Sequence, residues 1–248
     1  MIPDTIVTWK WKPKNHYHTS FSPETVNVLR DMVRRNFPHP HRFVCVTDDP
    51  EGIDKGIEIV PLGDLYADIP NPSLQNGPSC YRRLRMFGAE AESTFGKRFV
   101  SLDLDCVIVG EMASVWDRSE DFIAWGDTSR RNKYNGSMIL LTAGSRTKVW
   151  EQFDPIESPK KTRHQGLLGS DQAWLHYCLG PNEPIWGRAD GVYSFRNHLE
   201  DRPGRPSNMK LPENARIIFF HGNINPWDTE VREKYEWVSR HYRRTEEK

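Results

Sequence analysis

Apolar and polar positions alternate along this chain in blocks that change period. "TIVTW" opens it as a short β-rich run, and "SPETVNVLRDMVRRNF" follows with apolar residues near i, i+3, i+4 and i+7. Ser22 stands there as N-cap and Pro23 at the first helical position, so strand then helix is predicted. "HRFVCVTDD" reads as a second strand ending in turn chemistry, "GIEIVPL" as a third, and "SCYRRLRMFGAEAE" as a helix leading into the apolar strand "KRFVSLDLDCVIVG". Strands alternating with helices predict an α/β domain with a largely parallel sheet.

The second half is less regular. "DFIAWG" and "GSMILLTAG" are strand-like, "SRTKVWEQF" and "SDQAWLHYCL" helix-like, and "RIIFFHG" reads as a last apolar strand. "DTEVREKYEWVSRHYRR" predicts one amphipathic helix with Val231, Tyr235, Val238 and Tyr242 on a single stripe. Residues 154–169 and 197–212 are rich in Pro, Gly and charge and read as surface loops. There is no internal repeat, and 248 residues with 37% hydrophobic content suit one domain with a proper core.

Composition narrows the classes of function. Thirty-four basic and 34 acidic residues cancel, so no nucleic-acid or anionic-membrane partner is expected. No window approaches the ~20 apolar residues of a membrane span, and "MIPDTIVTWKWKPK" lacks the apolar core of a signal peptide, so the expected location is the cytoplasm. Cys45, Cys80, Cys106 and Cys178 are far apart and read as reduced thiols, not a zinc site. Five of the nine tryptophans, Trp9, Trp11, Trp125, Trp186 and Trp227, stand beside loops or glycines, where a ring can stack on a sugar or base; for each, the core is the plainer reading.

The candidate chemistry lies in the fourth strand. Residues two apart in a strand share a face, so Asp103 and Asp105 point one way and Leu102 and Leu104 the other. Two ionised acids so placed repel each other and lose hydration, and a shared hard cation such as Mg²⁺ or Mn²⁺ relieves both costs. His221, ending "RIIFFH", is a third candidate ligand, and its nitrogen tilts the choice toward Mn²⁺. The plainer reading has one Asp capping a turn and the other pairing with an arginine; a bare D-x-D does not decide. The pairs His16 with His18 and His39 with His41 lie in polar, proline-bordered stretches and read as solvated.

Taken together, "RFVCVTDD", "CYRRLRMF", "FVSLDLDCVIVG", "YNGSMILLTAG", "GSDQAWLHY" and "FFHGNINPW" resemble the GT-A-fold glycosyltransferases. The likeness is to the family 8 type, bacterial or phage relatives of glycogenin and the lipopolysaccharide galactosyltransferases, and it spans nearly the whole chain in order. It implies a Rossmann-like mixed, mostly parallel sheet flanked by helices. It also implies one domain over 1–248, with a nucleotide-binding part at about 1–110 and an acceptor and metal-completing part at about 111–248.

By the same resemblance, a hexose passes from a nucleotide diphosphate sugar, expected as the uridine form, to a hydroxyl acceptor with retention of configuration. Asp103 and Asp105, with His221, would hold Mn²⁺, or Mg²⁺ in its place. Thr8, Trp9 and Lys10 are similar in position to the family's base-binding loop. Arg82 or Arg83 resembles its basic residue reaching phosphate or sugar, and Asn135 and Gly136 a turn beside the donor sugar. Asp171 and Gln172 correspond to a D-Q pair near the reacting centre; from the residues alone, Asp171 is an ordinary helix-start residue.

The closing motif departs from the family pattern. Relatives commonly show H-x-x-G-x-x-K-P-W, whereas here Gly222 follows His221 directly and Asn225 stands where a lysine is expected. The missing cation would have to come from Lys10, Lys12 or the two arginines. Trp125, Trp186 and Tyr193 are candidates to shape the acceptor site. Two other readings stay open: a haloacid-dehalogenase-like phosphatase using the D-x-D, for which Asp127 in "WGDTSRR" lacks a second acid four on, and a catalytically silent sugar or nucleotide binder.

Overall fold

Six consecutive buried residues, Thr5–Lys10, form β1, and a strand buried on both faces belongs in the middle of a sheet. In the computed structural model, which describes residues 1–12, 21–73, 79–126, 131–201 and 210–245, β1 pairs in parallel with β2 (Arg42–Thr47) and with β4 (Arg98–Leu102). β3 (Glu58–Pro61) lies parallel to β2 at the edge. Helix α1 (Pro23–Asn36) makes the crossover, entered through Pro23 after Ser22, whose carbonyl accepts from the Thr25 amide and hydroxyl. Its Val26, Leu29, Met32 and Val33 are buried against one face of the sheet.

The seven strands run in the order β3-β2-β1-β4-β7-β6-β8, with β6 at Phe122–Gly126, β7 at Tyr134–Thr142 and β8 at Ile185–Trp186. β7 is antiparallel to both β4 and β6, and β8 returns parallel to β6, so the sheet is mixed and mostly parallel, as expected. The opposite face is covered by a 3-10 turn (Tyr81–Phe87), α2 (Ala91–Phe95), the single turn α4 (Lys148–Glu151) and α6 (Asp171–Leu179). The predicted helix over "SCYRRLRMFGAEAE" is thus two short pieces parted by Gly88, whose amide closes the first on the Arg85 carbonyl.

A second sheet corrects the reading of the acidic strand. β4 ends at Leu102; the chain then leaves the large sheet and, after Asp103–Asp105, enters β5 (Cys106–Ile108) of a three-stranded sheet ordered β5-β10-β9. The acids are therefore not two residues of one continuous strand. They occupy the break, where the Asp103 amide donates to the Ser137 carbonyl and the Cys106 thiol to the Asp103 carbonyl. β10 (Ile217–Phe219) is antiparallel to β5 and parallel to β9 (Val192–Ser194). β8, β9 and the single turn α3 (Ala113–Trp116) are two to four residues long, too short to show a period.

Three other expectations change. Residues 154–169 are not a bare loop, because α5 (Glu157–His164) forms there; Asp154 Oδ1 accepts from the Ile156 and Glu157 amides and so starts it. The closing amphipathic helix is two, α7 (Thr229–Lys234) and α8 (Glu236–His241), broken at Tyr235, whose ring lies 4.9 Å from that of Phe195 and whose hydroxyl accepts from the Asp201 amide. All four residues of its predicted stripe are buried. Trp125, Trp186 and Tyr193, expected near an acceptor, are core residues: Trp125 stacks on Phe219 at 4.7 Å and Trp186 donates to the Val115 carbonyl. His16, His18 and residues 202–209 lie outside the described residues, as does Asp127.

Candidate functional site

At the carboxyl end of β4 the sheet opens, which is where open α/β sheets collect their ligands. Arg83, on the 3-10 turn and almost fully buried, is aimed there. Its Nε and Nη2 donate to Asp171 Oδ2 at 2.9 and 2.6 Å, and its Nη1 donates to Asp103 Oδ1 and, at 3.3 Å, to the Gly136 carbonyl. One guanidinium thus ties the end of β4 to the first turn of α6 and to β7. Gly136 is required by this packing, since a Cβ there would stand 2.7 Å from Arg83 Nη2 and 2.9 Å from Asp171 Oδ2. Asn135 shapes the same stretch by accepting from the Ser137 amide.

The electrostatics follow from the burial. Desolvation pushes the Asp103 carboxyl above the usual carboxylate range, with Arg83 and a hydrogen bond from Ser137 pulling against it. Asp105 is pushed further up, by burial first and by the neighbouring Asp103 second. Burial by itself would lower the Arg83 guanidinium, but Asp103 and Asp171 outweigh it and hold its proton more firmly. Two acids kept this close under strain are relieved by a divalent cation as well as by protons.

His221 comes to the same edge through the second sheet. Beyond the Phe219–Cys106 pair the Phe220 amide donates to the Asp105 carbonyl at 2.8 Å, and His221 is the next residue. Its Nε2 bonds to the Ser194 hydroxyl at 2.7 Å. The backbone therefore brings Asp103, Asp105 and His221 together, and their oxygen and nitrogen donors fit a hard or borderline divalent ion. The Asp103 side chain is engaged with Arg83 and that of His221 with Ser194, and among the described residues no three His, Cys, Asp or Glu form a group that holds a metal as they stand.

The other candidates fall into place around this edge. Thr8 donates to the Leu102 carbonyl and Trp9 to Ser101 Oγ, each at 2.9 Å, so both side chains tie β1 to β4. Lys10 is buried on Asp49, its Nζ 2.6 Å from Oδ2, and Lys12 reaches the other oxygen of the same carboxylate at 2.8 Å. Arg82 donates to Asp48 and to the Gly63 carbonyl and lies 5.7 Å from the Trp11 ring centre. Gln172 donates to the Leu168 carbonyl, packed over Gly169, where φ is +87°. Asn225 turns away, its amide and side chain both directed at Asp228. Ser194 and the turn after it were not singled out in the sequence, where "YSFRN" carries no motif.

No protein-family model matches the sequence, and no curated protein matches it either. Among solved structures the chain is similar to the galactosyltransferase LgtC in complex with donor and acceptor sugar analogues, at 14% identity and a TM-score of 0.62 over 98% of both chains. An active-site glutamine-to-glutamate mutant of LgtC matches over the same shares with a TM-score of 0.59. The glycosyltransferase GlyE of Streptococcus pneumoniae TIGR4 matches at 11% identity, with a TM-score of 0.57 over 96% of this chain and 61% of its own. The bifunctional glycosyltransferase WbbM matches at 10% identity and 0.59, over 97% of this chain and half of its own. The chain thus has the GT-A glycosyltransferase fold that the sequence resemblance implied. Among the described residues, no helix is long and apolar enough to cross a membrane.

Proposed function

We propose that the chain is a glycosyltransferase that moves a hexose from a nucleotide diphosphate sugar, of the uridine form, to a hydroxyl acceptor. The observation that carries this reading is the buried cluster of Arg83, Asp103 and Asp171 under Gly136, at the carboxyl end of β4 in a sheet shared with sugar transferases. A structural ion pair has no need of that place, and a third acid, Asp105, is left beside it at a cost that a bound cation offsets.

Asp103, Asp105 and His221 would hold Mn²⁺, or Mg²⁺ in its place; such an ion supplies positive charge to the diphosphate as the glycosidic bond breaks. The chain's own residues prepare for that event. Arg83 fixes the Asp103 and Asp171 carboxylates and, by keeping its own proton, stays cationic through any pH at which the protein is folded. Asp171 sits in the first turn of α6, where its charge is favoured, and Gln172 beside it is held by Leu168. Two N–H groups of Arg83 occupy Asp171 Oδ2, so the group is built to position or to stabilise charge. That favours retention, with the departing phosphate taking the acceptor's proton, over inversion with Asp171 as general base.

The test is a thermal-shift panel of nucleotide sugars with Mn²⁺, because a ligand that binds only the folded state raises the melting temperature by mass action. A shift with one or more uridine diphosphate sugars supports the reading. No shift with any donor contradicts the donor reading, and a shift without release of UDP leaves a silent nucleotide-sugar binder.

A further inference from the structure

A groove of about 340 Å³ runs along the helical face of the large sheet, between the 3-10 turn, α2 and the stretch that follows β3. α2 leads into the amino end of β4, whereas Asp103 and Asp105 follow its carboxyl end, and neither they nor Arg83 line the groove. Its size is that of a small-molecule site, which is typically apolar with a few placed polar groups. Leu62, Phe95 and the Trp150 ring supply the apolar walls. Trp150 comes close because residue 88 is a glycine, where a Cβ would stand 3.4 Å from the ring. Leu65 adds a further apolar side chain and is 52% exposed. Next to it, Tyr66 is held at φ +61°, its ring 4.8 Å from that of Phe153 and 5.7 Å from that of Trp150. Backbone strain of this kind gathers at ligand clamps, and here it accompanies a leucine turned out to solvent.

The polar side of the groove is a pair of arginines. In a 3-10 turn residues three apart eclipse, so Arg82 and Arg85 share one side while Arg83 is aimed at the catalytic edge. Arg82 is 6% exposed; its Nη2 donates to Asp48 and to the Gly63 carbonyl, but its Nε is buried with no acceptor among the described residues. A buried N–H in that condition is rare, and an oxygen brought by a ligand would complete it. Arg85 donates through Nη1 to the Pro61 and Leu62 carbonyls, which fastens the same loop from beside Arg82. The acid among the lining residues, Glu90, is exposed.

We propose that this groove binds a small organic oxyanion with a ring or other apolar body, at a site separate from the donor cleft. Its carboxylate or phosphate group meets Arg82 and Arg85, and its body lies among Trp150, Phe95 and Leu65. Guanidinium groups suit that task, because they make charge-assisted bonds to either kind of oxyanion. The assignment stands on the groove and does not depend on the sugar-transfer reading.

Isothermal titration with phenyl phosphate, phenylacetate, inorganic phosphate and phenol tests it. At least one of the two aryl anions should bind saturably, roughly tenfold or more tighter than inorganic phosphate or phenol, and the tighter of the two tells a phosphate ligand from a carboxylate one. Its affinity should fall about tenfold in Arg85→Gln, the scale of one charge-assisted contact, and recover in part in Arg85→Lys. Leu65→Glu alters an exposed side chain and should weaken binding without harm to the fold, by setting a like charge beside the anion. Asp105→Asn should bind the anion as the wild type does. No saturable binding of either aryl anion, or equal binding by the wild type, Arg85→Gln and Leu65→Glu, overturns the assignment. Tighter binding by Asp105→Asn overturns it too, since the anion would then lie at the catalytic edge.

Discussion

Replacing Arg83 with methionine keeps much of the side chain's length and removes the charge that bridges Asp103 and Asp171. The Asp171 side chain is 5% exposed and that of Asp103 26%, so neither regains much water when its partner is lost. Breaking a buried pair from one side costs about 3–5 kcal/mol, because the remaining charge is left uncompensated. For a chain of this size that corresponds to a fall of roughly 6–20 °C in melting temperature. The loss should depend on pH in a definite sense. Without Arg83 the Asp103 carboxyl, already raised by burial, rises further, and a group whose folded pKa is raised adds stability as pH falls. The gap between variant and wild type should therefore be widest near pH 7 and narrow toward pH 4–5, by urea titration at each pH. Adding Asp171→Asn to Arg83→Met removes one stranded charge and should recover about half of the loss. A single variant less than about 1 kcal/mol below wild type, with no trend in pH, would refute the role given to Arg83.

Gly136→Ala places a methyl within 3 Å of both Arg83 Nη2 and Asp171 Oδ2, so about 1–3 kcal/mol of stability should be lost, with donor turnover falling at temperatures where the variant is still folded. Comparing melting curves with turnover at 20 °C checks this. Burial pushes the Cys45 and Cys178 thiols up to about 12, so neither should react appreciably with iodoacetamide at pH 8 until the chain is unfolded in guanidinium. Mass spectrometry of the labelled protein reads the outcome, and rapid native labelling of Cys45 would contradict the packing of β2.

The parallel half of the sheet was legible in the sequence because continuous apolar runs such as "TIVTW" and "RFVCVT" leave little choice but a buried strand. The same logic misled at "FVSLDLDCVIV". Its apolar residues belong to two strands of different sheets, and the acids mark the change of sheet, which no period can show. Asp103, Asp105 and His221 stood out because acids and an imidazole at strand ends are unusual in kind. The engagement of Asp103 and Asp171 by Arg83 was not legible, since Arg83 is 20 residues from Asp103 and 88 from Asp171. Lys10 shows the reverse case: a lysine at a strand end looks like a phosphate ligand, but its burial on Asp49 is fixed by a loop that no local pattern connects to it.

Sugar transfer itself is tested most directly by following release of UDP from UDP-hexoses with Mn²⁺, in the wild-type protein and in Asp105→Ala. Expected is metal-dependent release of UDP from at least one donor by the wild type, abolished by the metal chelator and reduced at least a hundredfold in Asp105→Ala, the scale of about 2.7 kcal/mol in the barrier. Release that is unchanged in Asp105→Ala, or no release from any donor by a wild-type protein that is folded, would contradict it.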